Sequence, residues 1–293
     1  MEPLPSGVEL VAKPAPDVEV VVLGDGLGDD VTALFRQLPR LKFVQSFSAG
    51  VDQLLPLIPP GVILCSAVGV HDIAVAEWVV TVILAMGHRL PEFLEVQGRA
   101  EWDRDIADHA VDLEGKTVLI VGHGSIGRAL AQRLAPFGAH VVGVAQHARE
   151  GVHAVDALPR LLPDADIVVN LLPSTEETQK FVDTKFLAQM KPGALFVNAG
   201  RGRTVDTDAL VESLRSLHIR AALDVTDPEP LPSDHPLWHA PNVLITPHIA
   251  GTVERSEARA FQFAGKQLRR YAAGEPLLGV RTGNMPAGQR LGH

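Results

Sequence analysis

Between Thr117 and Leu134 an apolar run, Thr117-Val-Leu-Ile-Val121, passes through Gly122-His-Gly124-Ser-Ile-Gly127 into the helix-like Arg128-Ala-Leu-Ala-Gln-Arg-Leu134. Few folds accept that order. Gly122 permits a tight turn, Gly124 lets the backbone come close to a pyrophosphate, and Gly127 lets the helix pack on the strand. Behind them the helix amino terminus, with Ser125 and Ile126 in its first turn, presents N–H groups to phosphates. The glycine spacing is weak by itself and gains weight here because a strand precedes it and a helix follows. It predicts a dinucleotide site at Gly122, Gly124, Ser125, Ile126 and Gly127.

Alternation extends this reading to the whole chain. Apolar runs at Val18 to Leu23, Phe43 to Phe47 and Val62 to Cys65 form a first series. A second runs through Thr117 to Val121, Val141 to Val144, Ile167 to Leu171, Leu195 to Val197, Ala221 to Val225 and Val243 to Ile245. Helical patterns lie between most of them, which predicts α/β architecture with parallel, doubly wound sheets. Ile73 to Met86 is the longest apolar stretch, but it contains Glu77 and falls short of the ~20 residues a membrane span requires, so it is expected to be a buried helix. Gln97 to Asp112 reads as a linker or subunit arm, Glu254 to Ala272 as a helix returning to the first domain, and the residues after Gly274 as irregular. Gly24 to Asp30 also follows a strand, but its glycine spacing is wrong and its three aspartates repel phosphate; it is read as a loop.

A net charge of −9 without a long basic run gives no footprint for nucleic acid or an anionic membrane surface. Cys65 is the one cysteine, which excludes an internal disulfide, and the amino terminus has no secretory pattern, so a cytoplasmic protein is expected. His235 and His239 sit four apart around Pro236 with no evident third ligand, so no metal is expected.

Three polar segments each follow a strand-like run: Asn198-Ala-Gly-Arg201, Asp224-Val-Thr-Asp-Pro-Glu229 and Thr246-Pro-His248. Strand ends of open parallel sheets are where ligands bind. An arginine, a carboxylate and a histidine gathered there could grip a carboxylate and deliver a proton. After the second strand of this series an acidic residue would bind a ribose 2′-hydroxyl. Ala145 and Gln146 occupy that place, with His147 and Arg149 just beyond, which favours NADP over NAD. A solvated Arg149 with a non-discriminating site is the plainer alternative.

Taken together, Gly122-x-Gly124-x-x-Gly127, Asn198-x-x-Arg201-Gly202, Asp224-Val225 with Glu229-Pro230, and Thr246-Pro-His248 resemble the D-isomer-specific 2-hydroxyacid dehydrogenases. Ser48-Ala-Gly-Val-Asp52 and Ala74-Val-Ala-Glu77 extend the resemblance from about Phe43 to Gly251. It implies a Rossmann NAD(P)-binding domain, 89–261, inserted into a discontinuous flavodoxin-like substrate domain, 1–88 plus 262–293, with the active site in the cleft and a homodimer as the common assembly. By the same resemblance His248 is the acid/base, Glu229 its partner, and Arg201 the group on the substrate carboxylate and carbonyl. Asp224 is implied to reach the nicotinamide carboxamide, and the amides of Ala49 and Gly50 to hold the substrate carboxylate. Gln146, His147 and Arg149 complete the expected cofactor contacts, and His123 is expected to face solvent or the phosphates. The loop Phe43 to Asp52 has no cation, which leans toward small 2-oxo acids such as glyoxylate or hydroxypyruvate. A phosphoglycerate dehydrogenase-like enzyme and a non-enzymatic NAD(H)-sensing corepressor are the alternatives.

Overall fold

The computed structural model describes residues 4–24 and 31–281; most of the Gly24 to Asp30 loop and the chain beyond Arg281 lie outside the described residues. By compactness the described residues form two units, one from those within 1–71 together with 253–281 and one of 72–252. The smaller holds β1 (Val20–Leu23), α1 (Val31–Arg36), β2 (Phe43–Ser46) and β3 (Ile63–Cys65). The larger begins with α2 (Asp72–Gly87), α3 (Leu90–Gly98), β4 (Thr117–Val121), α4 (Ser125–Leu134), β5 (His140–Ala145) and β6 (Val152–Ala154). It continues with α5 (Leu158–Leu161), β7 (Ile167–Asn170), α6 (Thr184–Gln189), β8 (Leu195–Asn198), α7 (Thr207–Arg215), β9 (Arg220–Leu223) and β10 (Val243–Ile245). The last helix, α8 (Ser256–Ala272), returns to the smaller unit.

In the larger unit seven parallel strands run in the order β10-β9-β8-β7-β4-β5-β6. Side chains alternate across a strand, and β4 shows the result: Val118 and Ile120 pack with Val79, Val82 and Ile83 of α2 and Leu130 and Leu134 of α4. Leu119 and Val121 face the other way, into a core with Phe186, Leu210, Val211 and Leu214. Burying a side chain such as Leu119, which is fully inaccessible, contributes about 1.5–3 kcal/mol. The chain winds outward from β4 first to β5 and β6, then to β7 and beyond, so the order reverses between β4 and β7. That reversal opens a crevice at the strands' carboxyl ends.

The expected domain boundaries, 88/89 and 261/262, differ from this division. α2 packs on α4 and on β8 and β9, so it belongs to the larger unit from Asp72 onward, and Val253 to Phe261 go with the smaller one. The seventh strand, β6, was not expected either. Among the described residues no single helix is long and apolar enough to cross a membrane.

The smaller unit's strands are parallel in the order β1-β2-β3. One face packs on α1 through Leu23, Phe35, Val44 and Leu64. The other meets α8, where Ala260 and Ala264 pack with Phe47 and Ala67, and Leu268 packs with Phe43 and Cys65. The described residues after Gly274, 275–281, form no helix or strand, in line with an irregular segment, but specific contacts hold them in place. Val280 makes an antiparallel bridge to Cys65, Ser66 N–H donates to the Gly279 carbonyl at 2.8 Å, and Arg281 N–H donates to the Leu64 carbonyl at 2.8 Å. Gln267, fully buried, donates to Gln45 Oε1 at 2.9 Å and to the Leu278 carbonyl at 2.8 Å. This pairs the two halves of the unit through groups that would be costly to leave unsatisfied.

Candidate active site

Arg201, Glu229 and His248 follow β8, β9 and β10, which are neighbours in the sheet, so all three arise from one edge. Glu229 Oε1 and His248 Nδ1 lie 2.5 Å apart, both partly exposed. With Nδ1 committed to the carboxylate, Nε2 is the ring atom left to exchange a proton with a ligand. The glutamate also fixes the ring plane, the geometric task of the third member in any nucleophile–base–orienter set.

The Arg201 loop hangs from a buried polar network. Asn170, at the end of β7, donates to Asn198 Oδ1 at 3.1 Å and to Thr204 Oγ1 at 2.7 Å. Thr204 in turn donates to the Arg201 carbonyl at 2.7 Å, and Asn198 Nδ2 donates to it at 3.3 Å. All three network residues are buried. Arg201 Nη1 donates to the Gly200 carbonyl at 2.7 Å. Gly202, also buried, is pressed against the loop leading to Glu229: a methyl there would overlap the Thr226 carbonyl and lie 2.8 Å from Asp227 N. The two loops therefore locate one another. Asn170 and Thr204 were not singled out from sequence, although a polar residue ending a run such as Ile167-Val-Val-Asn170 is a usable signal.

At the glycine loop, Gly122 has φ +97° and a methyl on it would sit 2.8 Å from the Leu171 carbonyl, so this position requires glycine. Gly127 is buried against β4, with Ile120 Cγ2 3.3 Å from where its Cβ would be. Gly124 opens on space, since a Cβ there would meet nothing within 4 Å, and no side chain caps the amino terminus of α4. This arrangement fits a phosphate held by first-turn N–H groups. Ser125 is in that turn, its hydroxyl donating to Asp72 Oδ1 at 3.1 Å, and Ile126 is half-buried beside it.

Gln146 and His147 are exposed just past β5. Arg149 folds back so that Nη2 donates to the His123 carbonyl, which brings its guanidinium to the glycine loop. His123 itself differs from expectation. Its ring lies over Gly143 of β5, where a Cβ would be 2.6 Å from its Cδ2, and its buried Nδ1 has no protein partner. Burial first, and then the charge of Arg149, hold the imidazole below its usual titration range.

Asp224 directly follows β9. Only 3% exposed, its carboxylate accepts from Thr246 Oγ1 at 2.6 Å, Ile249 N–H at 2.8 Å and Ala250 N–H at 2.9 Å. Both oxygens are thus engaged within the protein, on the loop that carries His248. In the smaller unit Ala49 and Gly50 follow β2 in a loop anchored by the Ser48 N–H to Ser46 Oγ bond of 3.0 Å.

Fold and site together define a dinucleotide-dependent oxidoreductase. Residues 80–250 match the family model for the D-isomer-specific 2-hydroxyacid dehydrogenase NAD-binding domain, and the chain belongs to that family. A glyoxylate reductase of Thermofilum pendens is 35% identical over 249 residues, spanning 81% of this chain and 74% of that one. A chloroplastic/mitochondrial formate dehydrogenase of Arabidopsis thaliana is 33% identical over 276 residues, 90% of this chain and 72% of its own. Among solved structures, an NADPH-dependent glyoxylate/hydroxypyruvate reductase of Sinorhizobium meliloti in complex with NADP and sulfate superposes with a TM-score of 0.80 at 30% identity, covering 92% of this chain and 86% of that one.

Proposed function

We propose that this chain reduces a small 2-oxo acid of the glyoxylate or hydroxypyruvate kind to its D-2-hydroxy acid, with NADPH preferred as donor. The observation that carries the reading is the Glu229–His248 pair, 2.5 Å apart, on the strand edge it shares with Arg201. A bound nicotinamide supplies the hydride. Arg201 binds the substrate carboxylate and carbonyl oxygen, drawing charge from the carbon that is reduced. His248 holds a proton at Nε2 and gives it to the carbonyl oxygen, while Glu229 keeps the ring oriented. The Ala49 and Gly50 amides are assigned to the substrate carboxylate on the Ser48 to Asp52 motif alone.

Three considerations support the finer points. The loop after β2 offers no cation for a phosphorylated substrate. Relatives named as glyoxylate and hydroxypyruvate reductases recur among the matches. NADP preference is supported by the missing carboxylate after β5 and by Arg149 beside the glycine loop. We assign the protein to the cytoplasm as a homodimer. Sedimentation and cell fractionation test the two assignments.

The test is oxidation of NADPH and NADH with glyoxylate, hydroxypyruvate, pyruvate and a bulky 2-oxo acid. Rapid NADPH oxidation with a small acid is expected. His248→Ala should lose ~10²–10⁴ in rate while still binding cofactor. Cofactor binding without turnover across the panel would replace this reading by that of a nucleotide sensor.

A further inference from the structure

We propose that Asn170 is a positioning residue for Arg201. It sets where the arginine's loop lies relative to the glycine loop, an inference that rests on the reading of Arg201 as the substrate's anchor. Arg201 is extended, with φ −141° and ψ 141°, between the end of β8 and a single 3-10 turn, Gly202–Thr204. Neither helix nor strand includes it, so its place depends on what grips the loop.

The grip converges on one peptide, Leu171–Leu172, just past β7. Leu171 N–H donates to the Val121 carbonyl of β4 at 2.8 Å. Two glycines from different loops abut this peptide. A methyl on Gly122 would lie 2.8 Å from the Leu171 carbonyl, and one on Gly200, the neighbour of Arg201, would lie 2.7 Å from the Leu172 carbonyl oxygen and 2.9 Å from its nitrogen. The glycine loop and the arginine loop therefore share one backbone reference.

Asn170 binds that reference to the arginine. Its Oδ1 accepts the Leu172 N–H at 3.3 Å, and its Nδ2 donates to Asn198 Oδ1 and Thr204 Oγ1. Those are the two residues whose side chains donate to the Arg201 carbonyl. The glycine loop is anchored separately, since the N–H groups of Gly122 and His123 both donate to the Val144 carbonyl of β5, at 3.0 and 2.9 Å. Loss of the Asn170 amide should thus loosen the arginine loop and leave the glycine loop on β5.

The amide stands where Ile167, Val168 and Val169 before it are aliphatic and buried, and it is itself fully buried. A polar group at such a position costs stability unless its bonds are made, so its presence is explained by those bonds. Asn170→Leu retains most of the side chain's bulk. In it Asn198 Oδ1 still accepts the Gly200 N–H at 3.2 Å and Thr204 Oγ1 still donates to the Arg201 carbonyl, so the fold should survive.

The experiment combines hydrogen–deuterium exchange over residues 199–204, the Kd of NADPH, the Kd of oxamate for the NADPH complex, and kcat/KM. Oxamate carries the carboxylate and carbonyl of a small 2-oxo acid but is not reduced. In Asn170→Leu exchange over 199–204 should quicken by ~10-fold or more, as lost hydrogen bonds lower the cost of local opening. Oxamate affinity should fall by ~10-fold and kcat/KM by ~10²-fold, the penalty of a misplacement of about 1 Å. NADPH affinity should stay within about threefold, which separates positioning of Arg201 from a general loosening of the site. Thr204→Val breaks the same path one step later and should lower kcat/KM by ~10-fold, whereas Thr204→Ser keeps the hydroxyl and should bring oxamate affinity and rate back near the parent.

Parental exchange over 199–204 in Asn170→Leu overturns the proposal, as does parental oxamate affinity. A loss of NADPH affinity alone would also overturn it and assign the amide to the glycine loop. Should Asn170→Leu fail to fold, Thr204→Val decides, and parental exchange and oxamate affinity in it overturn the proposal. Arg201→Gln tests the reading underneath: unchanged oxamate affinity there would remove Arg201 from the substrate, while exchange in Asn170→Leu would still report whether the amide holds the loop.

Discussion

Gly202→Ala is the sharpest test of the site's construction, because it touches neither a proposed substrate group nor the cofactor loop. The new methyl would overlap the Thr226 carbonyl and lie 2.8 Å from Asp227 N. Restoring an ordinary carbon–oxygen contact of ~3.3 Å requires the Arg201 loop and the loop to Glu229 to part by roughly 1 Å or more. Overpacking of this kind costs ~1–3 kcal/mol. At about 2–4 °C per kcal/mol for a protein of this size, Tm should fall by roughly 2–12 °C. Separating Arg201 from Glu229 by that distance should also lower kcat/KM by ~10²-fold, equivalent to ~2.7 kcal/mol of barrier. Thermal unfolding followed by circular dichroism and steady-state reduction of the best 2-oxo acid measure the two effects. Gly124→Ala is the matched control: its methyl meets nothing within 4 Å, so stability should hold while cofactor affinity drops. A Gly202→Ala protein with parental Tm and kcat/KM would refute the argument that these loops locate one another.

Gly122→Ala should destabilise by ~1–3 kcal/mol in urea unfolding, because it combines φ +97° with a methyl 2.8 Å from the Leu171 carbonyl; an unchanged midpoint would contradict that. The folded-state depression of His123 means that the unfolded chain binds the proton first as pH falls below about 6.5, so this group withdraws stability in acid and is silent above that pH. The Tm difference between pH 7.5 and 5.5 should therefore be smaller in His123→Gln than in the parent, and an identical difference would dismiss the effect. The Cys65 thiol is fully buried and pushed up to about 12 by that burial, so a disulfide reagent at pH 8 should label it only after denaturation. Rapid native labelling would show that the β3 region opens readily.

Much of the larger sheet was legible because its period is short and its strands are buried on both faces. Val118 to Val121 and Ile167 to Val169 are continuous apolar runs, as strands covered by helices on each side must be. The Glu229–His248 pair was legible too, since each residue follows such a run by a few positions and adjacent strand ends have little freedom. By contrast, β6 has three residues, of which His153 is exposed, so it offered no apolar run. The placement of α2 could not be read because Ala74, Val75, Ala76, Val79, Val82, Ile83 and Met86 are buried around most of its circumference. Such a sequence announces burial without saying against which sheet. The supports of the site were harder still: Asn170, Thr204 and Thr246 are ordinary polar residues whose roles come from hydrogen bonds between strands 22 to 34 positions apart in sequence.

The smaller unit is sewn from both ends of the chain, and this bears on how the protein is made. Residues 72–252 form an unbroken run that can fold as soon as it emerges, whereas β2 and β3 wait for α8 and for Val280. At ~5–20 residues per second of synthesis, the interval is on the order of ten seconds or more. Throughout it, the faces of Phe43 and Cys65 and the amide of Gln45, whose partner Gln267 lies 222 positions ahead, have nothing to cover them. Nascent chains of this protein are thus most vulnerable to chaperone capture and aggregation through their earliest strands, and truncation before Gln267 should leave a folded dehydrogenase core tethered to an unfinished sheet.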